Sequence, residues 1–160
     1  MKKQTISIAI TIYESKAELS DSAKLLMEKA AEARQLAYAP YSQFKVGAAI
    51  LLEDGTIVSG SNQENAAYPS GLCAERVAIF HAGATYPNLK IIQLAICAGS
   101  TQKTTTTPVS PCGSCRQSIA EYETKQDSPI EIYFMGETGP IYQSDSVNDL
   151  LPLLFNKKLL

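Results

Sequence analysis

The sequence predicts an α/β domain of three layers, α/β/α, in which helices cover both faces of a central mixed β-sheet. Two observations predict it. Segments with helical periodicity alternate along the chain with short strand-like segments. The run IIQLAICA, residues 91–98, is apolar nearly throughout, as in a strand covered on both faces. We expect a single domain over residues 1–160, in which residues 1–20 form an N-terminal extension.

The N-terminal part of the chain contains one strand pattern and one helix pattern. Residues 6–12 alternate Ile with small or polar residues, which predicts an extra, half-buried strand that a sheet edge or a partner chain must cover. Ser20, Asp21 and Ser22 can cap a helix, and the apolar residues that follow recur at helical spacing until Pro40 prevents continuation.

A hairpin is predicted next, because Glu53-Asp54-Gly55 separates two strand-like runs at 44–52 and 56–61, and Asp-Gly tolerates the positive φ of a tight turn. A polar loop, residues 62–72, leads into a helix from Cys73 to about His81. The remaining elements are a strand at 91–98, a loop at 100–111, a helix at 112–123, strands at 130–135 and 141–143, and a short helix at 147–151. The sheet therefore has five strands, plus the N-terminal one.

Composition excludes several classes of protein. With 14 Lys and Arg against 16 Asp and Glu, the net charge of −2 disfavours binding to nucleic acid, which requires an excess of basic residues. Four Cys in 160 residues are too few for a disulfide scaffold. No run is long and apolar enough for a membrane span, and the alternating N-terminal segment does not resemble a signal peptide. We expect a cytoplasmic protein with a small, weakly polar partner.

Three cysteines and one carboxylate have the spacing of a zinc site. Cys112 and Cys115 are three residues apart, so that they point to one side of a helix. Cys73 and Glu75 are two apart, and they converge only if Cys73 lies at or before the helix N-cap, where the backbone is not yet helical. We predict that placement. Two helix N-termini directed at one point would also stabilise thiolates.

The fourth coordination position has no good protein candidate. Cys97 lies in the apolar run and is expected to be a buried core residue. His81 lies about two helical turns beyond Cys73 and is expected to be an ordinary helix residue. A site with three thiolates and one open position is typical of catalytic rather than structural zinc.

These residues resemble the zinc nucleobase deaminases, which combine His-x-Glu, or its three-Cys variant, with Pro-Cys-x-x-Cys. Four motifs extend the resemblance to the homotetrameric cytidine deaminases, and together they span about residues 22–156. They are Tyr-Ser-Gln-Phe-Lys-Val-Gly-Ala-Ala from Tyr41, Asn-Gln-Glu-Asn-Ala-Ala-Tyr-Pro-Ser-Gly-Leu-Cys-Ala-Glu-Arg from Asn62, Pro-Cys-Gly-Ser-Cys-Arg-Gln from Pro111, and Leu-Leu-Pro-Leu-Leu-Phe from Leu150.

The resemblance implies a cytidine deaminase-like fold and one Zn²⁺ per chain, held by Cys73, Cys112 and Cys115. It implies that zinc activates water and that Glu75 moves protons while cytidine or 2′-deoxycytidine is deaminated, a reaction of pyrimidine salvage. Arg76 would donate hydrogen bonds to the ligand sulfurs. Arg116 would assist Arg76 in this role, unless it only forms a surface ion pair.

Substrate contacts are implied in the same way. Asn62 and Glu64 would bind the sugar 3′-hydroxyl, Phe44 would stack on the base, and the backbone of Ala66 and Ala74 would meet the base edge. Tyr68 and Phe155 would reach into the site of a neighbouring subunit, so that a homotetramer completes its own active sites.

Two other functions remain open at this point. A deaminase of a cytosine-containing antibiotic, of the blasticidin type, shares Cys-Ala-Glu and Pro-Cys-x-x-Cys. A structural zinc module that binds protein or nucleic acid would also hold the metal, without catalysis. Phe44 and the Asn62-x-Glu64 pair favour the nucleoside deaminase over the antibiotic deaminase.

Overall fold

A mixed sheet of six strands lies at the centre of the computed structural model, which describes residues 1–157 and 160. In spatial order the strands are β1-β6-β5-β4-β2-β3; β4 and β5 run parallel, and the other neighbouring pairs are antiparallel. The five predicted strands and the additional N-terminal strand are thereby confirmed. Their bounds are β1 Thr11–Tyr13, β2 Phe44–Leu52, β3 Ile57–Ser61, β4 Ile91–Ser100, β5 Glu131–Met135 and β6 Ile141–Ser144.

Helices cover both faces of the sheet, as predicted. On one face, α1 (Asp21–Gln35) buries Leu26 and Met27 against the small residues Ala49 and Ala95 of the central strands. The opposite face carries the other helices, whose buried apolar residues join those of the strands in a second core cluster. These helices are α2 Ala74–Thr85, α3 Gly113–Gln126 and α4 Val147–Leu150. Among the described residues, no helix is long and apolar enough to cross a bilayer.

Glycines allow the helices to approach the sheet closely. A Cβ atom on Gly60 of β3 would lie 2.6 Å from the backbone nitrogen of Ala78 and 2.8 Å from the carbonyl oxygen of Ala74, both in α2. A Cβ atom on Gly47 of β2 would lie even closer to the backbone of Ala30 and Arg34 in α1. The N-terminus of α2 therefore sits against β3 only because position 60 has no side chain.

The N-terminal strand is shorter than predicted and lies further along the chain. Strand β1 comprises only residues 11–13, whereas residues 6–10 of the predicted strand lie outside it. The reason lies in its partner strand. Thr11 pairs with Gln143, and β6 ends one residue later at Ser144, so that earlier residues of the arm meet no further strand.

Other boundaries differ by a few residues. The second helix continues to Thr85 rather than His81, β4 continues to Ser100 rather than Ala98, and the first helix ends at Gln35. The C-terminal end of β4 remains in the sheet because Ser100 pairs with Phe44 at the start of β2. The hairpin turn is as predicted, with Gly55 at a φ of 88°.

Candidate active site

The three predicted thiols lie together where two helices begin. Cys73 is the N-cap of α2 and Cys112 is the N-cap of α3, while Cys115 lies in the first turn of α3. The Sγ atoms of Cys73 and Cys112 are 3.8 Å apart, those of Cys112 and Cys115 are 3.5 Å apart, and all three lie within 4.8 Å of one another. Tetrahedral zinc with Zn–S bonds of about 2.3 Å places its sulfurs about 3.8 Å apart, so the three thiols fit this metal.

The backbone at Cys73 explains how residues two apart can face one site. Its φ of −70° and ψ of 154° are extended, and the helix begins with the next residue. This confirms the predicted N-cap placement. Because Cys73 and Cys112 are the N-caps of α2 and α3, the positive ends of both helix dipoles lie at the sulfur cluster.

The electrostatics of the cluster favour thiolate at Cys73. Hydrogen bonding to the neighbouring Cys115, together with Arg76, lowers the pKa of the Cys73 thiol to about 5, although burial opposes the shift. The same contact and burial raise the pKa of the Cys115 thiol. The chain alone therefore favours thiolate at Cys73 over thiolate at Cys115, and a bound divalent cation would favour the deprotonated form of both.

Arg76 provides the positive charge next to the sulfurs. Its Nη2 atom donates a hydrogen bond of 3.7 Å to the Sγ atom of Cys73. Its Nε atom is buried and has no hydrogen-bond partner among the described residues. Three thiolates and Zn²⁺ carry a formal charge of −1, which the guanidinium offsets.

Glu75 is the buried carboxylate of the site. It is only 5% exposed, and burial raises the pKa of its carboxyl group, with a further contribution from the Cys73 thiolate. A carboxyl group in this environment takes up a proton more readily than an exposed one, as a group that transfers protons must.

A cleft of about 520 Å³ borders the sulfur cluster at Cys73 and Arg76. Asn62, Glu64 and Tyr68, all predicted site residues, line it. Tyr41 and Ser42 also line it, although no role was predicted for either from the sequence. Both belong to the first deaminase motif. Their position next to Phe44 was the only feature of the sequence that pointed to a place in the site.

Asn62 is held by the start of β2. Its Oδ1 atom accepts a hydrogen bond of 2.8 Å from the backbone nitrogen of Val46, and its Nδ2 atom donates one of 3.0 Å to the carbonyl oxygen of Phe44. These bonds fix the side chain at the cleft and join the ends of β2 and β3.

Glu64 is held in a similar way by the loop before β2. Its Oε2 atom accepts hydrogen bonds from the backbone nitrogens of Tyr41, at 2.9 Å, and Ser42, at 3.3 Å. Hydrogen bonding, chiefly to Ser42, lowers the pKa of this carboxyl group. The carboxylate is therefore charged and oriented, and its Oε1 atom takes no part in these two bonds.

The remaining predicted contacts occupy varied positions. Tyr68 is 75% exposed and packs edge-on against Tyr41, with ring centroids 6.1 Å apart. Phe155 is 57% exposed, and its carbonyl oxygen accepts a hydrogen bond of 2.9 Å from Gln117 of α3. Among the predicted substrate contacts, Phe44, Ala66, Ala74 and Phe155 do not line the cleft, and neither do the predicted site residues Glu75, Cys112 and Cys115. Ala74 is fully buried, whereas Ala66 is exposed in the loop.

Cys97 and His81 do not join the cluster. Cys97 is 2% exposed in β4, as the apolar run predicted, and its thiol donates a hydrogen bond of 3.4 Å to the carbonyl oxygen of Gly136. Burial raises the pKa of the Cys97 thiol. His81 is exposed on α2.

Arg116 supports the start of α3, and it forms no ion pair with any residue that the structure describes. Its Nε atom donates a hydrogen bond of 2.7 Å to the carbonyl oxygen of Pro111, the residue before Cys112. Its Nη1 atom donates to the carbonyl oxygen of Leu150, at the end of α4. Arg116 thus ties the segment that carries Cys112 to the C-terminal part of the chain.

Comparison with known proteins decides the family. Residues 20–127 match the family model of the cytidine and deoxycytidylate deaminase zinc-binding region. The chain belongs to this family. Its relatives include a cytidine deaminase of Sporosarcina psychrophila, 44% identical over 138 residues, which are 86% of this chain and 93% of the relative. A cytidine deaminase of Halalkalibacterium halodurans is 39% identical over 132 residues, which are 82% of this chain and 92% of the relative.

Solved structures of the deaminase family have the same fold. A cytidine deaminase of Burkholderia pseudomallei is 37% identical with a TM-score of 0.70, over 82% of this chain and 97% of that one. A cytidine deaminase of Mycobacterium tuberculosis is 32% identical with a TM-score of 0.63, over 82% of this chain and 95% of that one. Together with the thiol cluster, membership in this family makes zinc the cofactor of the chain.

Proposed function

We propose that this chain catalyses the zinc-dependent hydrolytic deamination of cytidine and 2′-deoxycytidine to uridine and 2′-deoxyuridine, with release of ammonia. One observation carries the proposal: the buried carboxylate of Glu75 lies beside a three-thiol cluster that borders a cleft. A purely structural zinc site needs neither the buried carboxylate nor the cleft. Relatives with 39% and 44% identity are named cytidine deaminases, which also supports the proposal.

Cys73, Cys112 and Cys115 would hold the metal, which when bound supplies Lewis-acid activation of water at neutral pH. The Glu75 carboxylate takes a proton from the attacking water and delivers it to N3 of the cytosine ring as the C4–O bond forms. It then transfers the hydroxyl proton to the C4 amino group. The C4–N bond breaks, ammonia leaves, and a carbonyl group remains at C4.

Asn62 and Glu64 are proposed to bind the sugar. The charged carboxylate of Glu64 can accept a hydrogen bond from a sugar hydroxyl, and Asn62 lies beside it in the same cleft. Phe44 is proposed to contact the base, and the backbone of Ala66 and Ala74 to meet the base edge. These assignments follow from the family resemblance.

The remaining proposals concern the whole protein. We propose one domain over residues 1–160, a cytoplasmic location and a role in pyrimidine salvage. We also propose a homotetramer in which Tyr68 and Phe155 complete the site of a neighbouring subunit. The high exposure of both aromatic side chains in the single chain supports that arrangement.

The decisive experiment measures ammonia release by the zinc-loaded full-length protein. Substrates are cytidine, 2′-deoxycytidine, free cytosine and a blasticidin-type antibiotic, and kcat/KM is determined for each. We expect both nucleosides to be deaminated much faster than cytosine or the antibiotic. One bound zinc per chain without ammonia release would instead indicate a structural zinc module, and preference for the antibiotic would indicate a blasticidin-type deaminase.

Glu75→Gln tests the proton-transfer role within this reaction. The variant should retain one zinc per chain and lose about a thousandfold of kcat, because an amide cannot carry the proton. Glu121→Gln makes the same change at an exposed position of α3 and should leave kcat unchanged. A Glu75→Gln enzyme within tenfold of the parent would contradict the assignment.

A further inference from the structure

The N-terminal arm, residues 1–13, lies outside the region that matches the deaminase family model, which begins at residue 20. Residues 1–10 belong to no helix or strand, and almost all of them are exposed. Residues 11–13 form β1, which pairs with β6 on one side and is the outermost strand of the sheet. The other edge of β1 therefore presents unpaired backbone groups.

The side chains of the arm are typical of a strand that pairs with another strand. Ile6, Ile8 and Ile12 are 48%, 53% and 51% exposed, and they alternate with small or polar residues. Edge strands that avoid association carry charges, Pro or a bulge. Between Gln4 and Tyr13 the arm contains no charged residue, Pro or Gly.

Charged residues stand at both ends of this uncharged stretch. Lys2 and Lys3 precede it and Glu14 follows it. No hydrogen bond or ion pair joins Lys2 or Glu14 to the rest of the described chain, and the structure places both on its surface. An antiparallel strand of the same sequence would bring the basic end of one arm to the acidic end of the other.

We propose that the arms of two copies of this chain pair as antiparallel strands about a twofold axis that passes beside Ile8. In this register Lys2 of each copy faces Glu14 of the other, and Ile6 faces Ile10. Each Ile8 faces its counterpart. Opposite charges and β-branched residues in directly facing positions stabilise antiparallel pairs.

The neighbouring register that keeps all Ile on one face is disfavoured. Moving each arm by one residue relative to the axis places Ala9 opposite itself and brings Lys2 opposite Lys16 of the second copy. Two like charges in facing positions destabilise a strand pair. Of the registers centred on Ile8 and on Ala9, charge complementarity therefore favours the one centred on Ile8.

Position-specific disulfide formation tests the proposed register. Ile8→Cys and Ala9→Cys are made separately in the full-length zinc-loaded protein, oxidised mildly, and analysed on non-reducing gels beside the parent. We expect covalent dimer from Ile8→Cys well above the parent background, and little from Ala9→Cys, whose residue faces Ser7 in this register. Background yield from Ile8→Cys, or equal yield from both variants, would overturn the proposal.

A charge exchange in the Ile8→Cys background provides a second test. Lys2→Glu and Glu14→Lys alone should each lower the initial rate of dimer formation about fivefold, because attractive pairs become repulsive. The double variant restores both pairs with inverted sign and should recover the parent rate. Rates that stay unchanged in the single variants, or a double variant that is no faster than either, would contradict the pairing of Lys2 with Glu14.

Discussion

Neighbouring residues at the start of α2 have opposite requirements. For the proposed proton transfer the carboxyl group of Glu75 must be buried, whereas Arg76 must keep its charge next to the sulfurs. The first helical turn satisfies both, since it directs consecutive side chains to different sides. In the proposed mechanism, the sequence Cys-Ala-Glu-Arg therefore holds a metal ligand, a proton carrier and a charge partner in four positions.

Arg76→Gln should weaken zinc retention, because it removes the cation that donates to the Cys73 sulfur. We expect the rate of zinc loss to a colorimetric chelator to rise about tenfold to a hundredfold, the usual effect of losing such a support. Arg76→Lys keeps the charge without the planar donor group and should fall between the parent and Arg76→Gln. Equal rates for all three proteins would show that Arg76 does not support the metal ligands.

The sulfur cluster could be predicted from the sequence, because its cysteines lie at the starts of helices. The direction of a side chain at a helix start depends on the local spacing of residues. The roles of Tyr41 and Ser42 could not. Their backbone nitrogens hold Glu64, which is more than twenty residues away along the chain. Such a contact depends on how the loop before β2 meets the loop after β3.

At the scale of elements, the position of α2 depends on the absence of a side chain at Gly60. Elements whose position depends on their own residues were predicted from the sequence, and one whose length depends on a partner strand was not. Helical and strand periodicity predicted the type of each main element, since periodicity reports burial of one face. It misplaced β1, because the length of that strand is limited by where its partner β6 ends.

Gly60→Ala should displace α2 and with it the ligand Cys73. The added methyl group would lie 2.6 Å from the nitrogen of Ala78, a backbone atom that cannot move alone. We expect a loss of about 1–3 kcal/mol in the free energy of unfolding, measured with urea, and a lower zinc content. Ser59→Ala, at the exposed neighbouring position of β3, is the matched control and should change neither. Normal stability and zinc content in Gly60→Ala would contradict this account.

At the scale of the whole molecule, the zinc site joins two helices that are about forty residues apart in sequence. Cys73 belongs to α2, and Cys112 and Cys115 belong to α3. Metal binding should therefore contribute to the stability of the fold as well as to catalysis, because the unfolded chain does not hold the three thiols together.

Removal of zinc should lower the melting temperature. Zinc at about a thousandfold above its Kd stabilises the native state by about 4 kcal/mol, which corresponds to a shift of about 10 °C for a chain of this size. Scanning calorimetry with and without a strong chelator measures the shift. Cys97→Ala should preserve the zinc-dependent difference, since Cys97 lies outside the cluster, whereas Cys115→Ala should abolish it. An unchanged melting temperature after verified zinc loss would contradict a stabilising role.

The proposed tetramer leads to a prediction about mixed subunits. If Phe155 completes the site of a neighbouring subunit, Phe155→Ala spoils a neighbour's site while Glu75→Gln spoils its own. Each variant alone should have little activity. Subunits of the two kinds, mixed after dissociation and reassembled, should regain part of the parent activity, because some intact Glu75 residues then meet an intact Phe155 from another chain. Reassembly of each variant with itself is the control. Assembly of mixed tetramers, verified by mass, without recovered activity would place Phe155 in the site of its own subunit or in neither.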